Sequence, residues 1–258
     1  MQTENSLSSV RNALKILHSF TMNHPQKGVR ELAKELGIGK SSVQRILITL
    51  ASEGFVKKDN ETNKYELGVS VLGLSSIVLA NIELHTESLP EIKKLAERCQ
   101  LTCHLVVLEN LEIVYVHKEE GRYSINLPSY SGLYNHSHCT SSGKLLLAYS
   151  DPAFREVLIE RGLTQFTPNT ITNPTIFRDE LRHIYKKGYS VSNEEFQIGV
   201  NSISTPIRDH SGKVIAAVNL VGSKSRLSKQ RFSSFTKELK QTGVNISEKL
   251  GHGIMSKF

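Results

Sequence analysis

Two short apolar repeats separated by a glycine-flanked turn constrain this chain more than any other feature. Val29, Leu32, Ala33 and Leu36 recur at i, i+3, i+4 and i+7, and Val43, Ile46, Leu47 and Leu50 repeat the same spacing. Each set marks one face of an α-helix. Between them Gly37-Ile38-Gly39 stops the first helix, because glycine closes a helix end without a side-chain penalty. The second helix is expected from about Lys40 to Ser52. Two short helices joined by such a turn form a helix-turn-helix unit. Upstream, Val10, Leu14, Leu17 and Phe20 predict an earlier helix with this stripe inward and Ser8 or Ser9 as its cap.

The outward face of the second repeat carries the chemistry. At 100° per residue, Ser41 and Arg45 lie nearly opposite the apolar stripe, with Ser42 and Gln44 on its flanks. Arginine can pair with guanine O6/N7, glutamine with adenine N6/N7, and serine with phosphates or base edges. Lys40 stands at the start of the same helix. Between His24 and Lys58 there are seven cations (Lys27, Arg30, Lys34, Lys40, Arg45, Lys57, Lys58) and three anions (Glu31, Glu35, Glu53), an excess of four. That local excess says more about a polyanionic partner than the formal +7 of the whole chain.

Phe55-Val56-Lys57-Lys58, the polar turn Asp59 to Asn63, and Lys64-Tyr65-Glu66-Leu67-Gly68 predict a β-hairpin with lysines on its strands. After a recognition helix such a hairpin is a wing beside the sugar-phosphate backbone. Residues 1–68 are therefore expected to be a winged helix-turn-helix that binds duplex DNA. A scaffold domain with merely solvated lysines is the competing reading.

Residues 69–89 are apolar on most helical faces. Leu72, Leu79 and Ile82 are too many to leave in water, so a linker helix pairing with a second copy is expected, and a homo-oligomer with it. Pro90 is expected to end this segment and open a larger domain, 90–258. There, helices are expected at 91–99, 141–150, 152–161, 174–187 and 228–250. Strands are expected at 103–108, 112–117, 123–127, 189–193, 200–208 and 214–221. Hairpins with helices on one side imply an α+β class with an antiparallel sheet.

The domain 90–258 contains one segment suited to an anion: His136 to Lys144, where hydroxyls and a glycine precede a helix whose free N–H groups suit a carboxylate or phosphate. Capping serves Thr140, Ser141 and Ser142 equally well. A second promising stretch runs from Asn193-Glu194-Glu195 through Gly199-Val200-Asn201-Ser202 to Asn219-Leu220-Val221. No catalytic residue or metal ligand is assigned. Ser141 lacks a Gly-x-Ser-x-Gly setting, no P-loop or paired acid motif occurs, and His136, His138 and Cys139 have no second ligand group at recognised spacing. No cofactor is expected. The longest apolar run falls short of the ~18 residues of a membrane span, the polar Met1–Ser9 segment is unlike a secretory signal, and three unpaired-looking cysteines fit a reducing cytoplasm.

Both halves, in this order, resemble the IclR family of bacterial transcription regulators over roughly Ser8 to Leu250. The resemblance is carried by Gly39-Lys40-Ser41-Ser42-Val43-Gln44-Arg45-Ile46-Leu47, Glu53-Gly54-Phe55-Val56, Tyr65-Glu66-Leu67-Gly68, His138 to Ala148, and Glu194-Glu195 with Gly199-Val200. It implies a palindromic operator, a GAF-like effector-binding domain, dimers or tetramers, and a small organic-acid or aromatic effector. It places effector contacts at Ser141, Ser142, Ser202 and Asn219, with Val221 on the wall and Glu195 nearby. Relatives often carry cysteine at the place of Ser202 and serines at those of Asn219 and Val221, so a simple keto acid does not follow. DNA contacts fall to Lys40, Ser41, Ser42, Gln44, Arg45, Lys57 and Lys58. The resulting expectation is a ligand-responsive regulator, foremost a repressor of a catabolic operon. An activator, an enzyme or metal-binding domain fused to a DNA module, and a ligand-free architectural protein are the alternatives.

Overall fold

The computed structural model describes residues 7–81, 83–127 and 129–253, the side chains of 76–81 excepted. The chain forms two compact units, Met1–Asn81 and Ile82–Phe258.

In the first unit, α1 (Ser8–Ser19), α2 (Val29–Leu36) and α3 (Lys40–Ser52) precede a hairpin of β1 (Val56–Lys58) and β2 (Tyr65–Leu67). Gly37 ends α2 with φ 64°, a left-handed conformation that its missing Cβ makes inexpensive. Ile16, Phe20, Leu32, Val43, Leu47, Val56 and Tyr65 form one core to which α1, α2, α3 and both strands contribute. The hairpin is tied to the start of α2 by a bridge in which Lys27 and Tyr65 exchange both backbone hydrogen bonds at 2.9 Å. The buried face of α1 differs from the expected stripe. Ile16 and Phe20 turn inward with Leu17 beside them, whereas Val10 and Leu14 remain half exposed. Neither serine caps α1 through its side chain; Ser8 is its first residue.

The expected single linker helix is two helices, α4 (Ser70–Asn81) and α5 (Glu83–Cys99). Leu72 is 67% exposed; the Leu79 side chain and Ile82 lie outside the described residues. Pro90 does not end the helix, because α5 runs through it. Proline removes the donor that would reach the carbonyl of Thr86, a defect worth about 3 kcal/mol in an isolated helix. Burial of Leu84, Ile92, Leu95 and Ala96 in the core holds α5 together across that gap.

The second unit is built on a six-stranded antiparallel sheet in the order β5-β4-β3-β8-β7-β6. Its strands are β3 (Thr102–Glu109), β4 (Glu112–Glu119), β5 (Tyr134–His136), β6 (Ser190–Asn193), β7 (Val200–Arg208) and β8 (Val214–Ser223). The helices are α6 (Ser141–Tyr149), α7 (Pro152–Glu160), α8 (Pro174–Lys187) and α9 (Phe232–Lys249), the last entered through a single 3₁₀ turn, Lys229–Arg231. Helices cover both faces of the sheet, not one. Cys103, Leu105, Ile203, Ile207, Ala216, Val218 and Leu220 face α5 and α9. Val106, Ile113, Tyr115 and Ala217 face α6, α7 and α8. The period-two alternation of a strand allows both faces to be apolar when both are covered. Residues 123–127, expected as a strand, lie outside the sheet, Tyr123 in a turn and the rest without regular structure. A three-residue edge strand, β5, pairs with β4 instead.

Candidate nucleic-acid interface and effector cavity

Burial of Val43 and Leu47 fixes the rotation of α3 and turns its other side outward. Lys40, Ser41, Ser42, Arg45 and Ile48 are exposed on that side. Val56 points into the core from β1, so the alternation sends Lys57 outward, and Lys58 at the strand end is exposed as well. Among the described residues no carboxylate forms an ion pair with Lys40, Arg45, Lys57 or Lys58. Lys27 is different: it is buried and bonded to Glu35 at 2.6 Å. That pair removes one cation and one anion, so the local excess of four is unchanged. Gln44 is also not free. It is half buried, and its Nε2 donates to the Tyr65 hydroxyl at 3.4 Å, linking α3 to the wing. At the wing tip Asp59 accepts from Glu61 N–H and the Thr62 hydroxyl. Those bonds hold the Asp59 carboxyl below the ordinary carboxylate range.

In the second unit the α6 face of the sheet encloses a cavity of about 50 Å³, room for on the order of three or four water molecules. Ser142, Ser202, Asn219 and Val221, four of the residues expected to contact an effector, line it. Ser141 and Glu195 do not. The Ser141 hydroxyl is 2.6 Å from that of Ser204, and Glu195 is drawn to the buried ammonium of Lys144, also at 2.6 Å. In both cases a partner distant in sequence takes the side chain away from the cavity.

Sequence reasoning did not place His104, Ser129, Asn135 or Ser192 at this site, and all four line it. The strongest available signal was the alternation of β3, which places His104 on the same inward face as Val106. His104 is 1% exposed. The Asn219 Oδ1 accepts the His104 backbone N–H at 3.1 Å and faces His104 Nδ1 at 3.0 Å. An amide oxygen in that position requires Nδ1 to carry the proton, which leaves Nε2 to accept from the Ser129 hydroxyl at 2.9 Å. Burial pushes the His104 pKa down to about 4, so the ring is neutral at pH 7. The Asn219 amide is thereby oriented, its oxygen committed to His104 and its Nδ2 group available as a donor.

The start of α6 adds donors. Thr140 caps it by accepting from Gly143 N–H at 3.2 Å. The N–H groups of Ser141 and Ser142 meet no acceptor among the described residues. The Ser142 hydroxyl is buried without a partner. A Cβ on Gly143 would lie 2.2 Å from the Ser137 carbonyl oxygen, so only glycine allows this helix to start where it does. Among the described residues no lysine or arginine lines the cavity; its polar lining is hydroxyls, amides and an imidazole, beside the positive end of a helix. His138 is committed elsewhere, donating from Nε2 to the Thr164 carbonyl at 2.8 Å. Burial raises the Cys139 thiol to about 12, so it is not a thiolate near neutrality.

The family model for the bacterial transcriptional regulator IclR C-terminal domain matches residues 76–248, and that for the IclR helix-turn-helix domain matches residues 9–60. The HTH-type transcriptional regulator XynR of Escherichia coli strain K12 is 30% identical over 247 residues, 95% of this chain and 98% of that protein. The HTH-type transcriptional repressor AllR of the same strain is 26% identical over 94% of this chain and 90% of its own length. The crystal structure of an IclR transcriptional regulator from Alicyclobacillus acidocaldarius superposes with a TM-score of 0.86 at 25% identity, covering 95% of this chain and 100% of that one.

Proposed function

The chain belongs to the IclR family of bacterial transcriptional regulators, and from that premise we propose that it is a cytoplasmic, ligand-responsive repressor of a catabolic operon. It binds a palindromic operator as a homodimer or homotetramer, because one helix-turn-helix reads only one half-site. Arg45 reads a base, Lys40, Ser41 and Ser42 hold the phosphates at the groove edge, and Lys57 and Lys58 bring the wing to the backbone. Gln44 reaches a base only by giving up its bond to Tyr65. The observation that carries this reading is the exposed, unpaired cationic side of α3 beside the lysines of β1. AllR, a relative that bears the name of repressor, supports the sign of regulation.

The effector is a small organic acid with its carboxylate at the free N–H groups of α6, a second oxygen at Asn219 Nδ2, and Ser142 and Ser202 alongside. A cavity of about 50 Å³ favours a few-carbon acid over an aromatic ring unless the walls yield. Catalysis forms no part of this role: His104 is held between Asn219 Oδ1 and the Ser129 hydroxyl, and burial keeps the Cys139 thiol protonated. The test is footprinting of the region upstream of the chain's own gene, followed by titration of bound DNA with short keto and hydroxy acids. Protection of two symmetric half-sites, relieved by one such acid, is the expected result. Absence of any footprint at low salt, or a footprint indifferent to Arg45→Ala, overturns it. Transcription that falls when the gene is deleted would make the protein an activator instead.

A further inference from the structure

The effector cavity encloses about 50 Å³, whereas a cavity of about 150 Å³ holds a benzene ring. Three large apolar side chains stand on its wall, Tyr115, Leu127 and Phe196. Tyr115 is buried and held, its ring 4.7 Å from that of His104 and its hydroxyl accepting from Asn135 Nδ2 at 3.1 Å. Phe196 is half buried, and its ring leans on those of Phe166, at 5.2 Å between centres, and His136, at 6.2 Å. Both of those neighbours are exposed. The Phe196 ring therefore stands between the cavity and side chains that meet solvent.

The backbone beneath that ring is fixed. Phe196 belongs to the turn, 194–199, that joins β6 to β7. The Glu194 carboxylate accepts the Gly199 N–H at 2.9 Å and lies 2.5 Å from the Lys224 ammonium. The Thr167 hydroxyl donates to the Glu194 carbonyl at 2.7 Å, and that of Thr170 to the Glu195 carbonyl at 2.6 Å. Lifting the turn as a lid breaks these bonds together, while turning the ring changes only side-chain torsions. The room available to a ligand is governed by this one side chain.

We propose that Phe196 confines the effector to a few-carbon acid, its ring occupying the place that the ring of an aromatic acid would take. This role rests on the effector site proposed above, which supplies the carboxylate anchor at the start of α6 and Asn219 Nδ2. Phe196→Ala removes a six-carbon ring from the wall, and the space vacated is the size of the ring to be admitted. A benzoate anchored by its carboxylate then extends toward Phe166 and His136, whose rings offer it faces and edges.

Calorimetric titration of the full-length protein with benzoate tests this, with pyruvate and lactate as the short acids. Wild type is expected not to saturate with benzoate up to about 10 mM, and Phe196→Ala to bind it at least tenfold more tightly. Phe196→Val, which also lacks the ring, serves if alanine impairs folding. Phe196→Trp keeps the space filled and should gain nothing; Leu127→Ala, which removes a smaller group from the same wall, should gain less than tenfold. Pyruvate and lactate fit without the added room and should gain nothing from Phe196→Ala. Adding Asn219→Leu should erase the benzoate gain. Saturation of wild type by benzoate, a gain below tenfold in a folded ring-free variant, a tenfold gain in Leu127→Ala or Phe196→Trp, or a gain that survives Asn219→Leu each overturns the role of Phe196. The effector reading fails by a different result: the benzoate gain stands, but operator binding is indifferent to benzoate on Phe196→Ala and to both short acids on wild type.

Discussion

At the scale of single residues, burial and pairing separate side chains that look alike in sequence. Ten histidines occur, but only His104 is fixed between an amide oxygen and a serine hydroxyl inside a sheet. Its folded pKa of about 4 lies below the ordinary 6.5, so on acidification the unfolded chain takes up a proton before the folded one does. Stability from this group is complete above pH 6.5 and is lost as pH falls from there toward 4. Between pH 6.5 and about 5 the loss should be about 2 kcal/mol. Urea titrations of wild type and His104→Asn across that range should show a shallower pH slope in the variant; equal slopes would remove His104 as the cause. Arg45 and Lys57 are both exposed cations, but they are expected to fail differently. Arg45→Ala should cost ~1–3 kcal/mol on operator and little on random DNA. Lys57→Ala should weaken both alike and flatten the salt dependence by about one phosphate contact. Anisotropy titrations on the two DNAs at several salt concentrations distinguish them.

At the scale of elements, starts and stops carry the information, and two glycines illustrate it. Gly143→Ala would press a Cβ to within 2.3 Å of Ser137 backbone atoms, whereas Gly73 in α4 has nothing within 4 Å of that position. Gly143→Ala should therefore destabilise the second unit by about 1–3 kcal/mol and weaken effector binding with it. Gly73→Ala should stabilise α4 by about 0.5–1 kcal/mol, the ordinary cost of glycine in a helix. Thermal melts followed by circular dichroism can compare the two. Where local chemistry sets the boundary, the sequence predicts it well. Asn173 caps α8, Pro174 opens it and Gly188 closes it at φ 71°, and the span Pro174–Lys187 is the one expected. Local pattern failed where tertiary contact decides. The rotation of α1 is set by where α2 and α3 need Ile16, not by the longest apolar stripe. Pro90 is tolerated because α5 is anchored in a core. The segment 123–127 has strand-like residues but pairs with no strand among the described residues, and β5 is too short to show a period. In the cavity, Ser202, Asn219 and Val221 were legible by resemblance, while His104 and Ser129 enter it through a hydrogen-bond chain spanning 115 residues. Glu195 and Ser141 leave it for Lys144 and Ser204, partners that no short window contains.

At the scale of the whole molecule, regulation requires the effector to favour one of two arrangements, and the second unit contains a path along which it could do so. The cavity opens on one face of β3 and β8, through His104 and Asn219, while on the other face α5 packs against β3, where Cys103 and Leu105 join the core, and α9 packs against β8. A ligand that draws Asn219 and His104 together would shift β3, on which α5 rests, and α5 follows α4 in the chain with only Ile82 between them. If effector and operator are coupled by ~1–3 kcal/mol, binding of either changes affinity for the other by roughly 5- to 150-fold, and by the same factor in both directions. The acid identified by footprinting should therefore bind the protein–operator complex more weakly than the free protein, by the factor with which it loosens operator binding. Asn219→Leu should abolish its binding and leave operator affinity in its absence unchanged. Calorimetry with and without operator, set beside anisotropy with and without the acid, measures both factors. Unequal factors would mean that the acid acts somewhere outside this thermodynamic cycle. Equality at a factor of one would leave the cavity as a binding site with no hold on DNA, and the coupling through β3, β8 and α5 would be wrong.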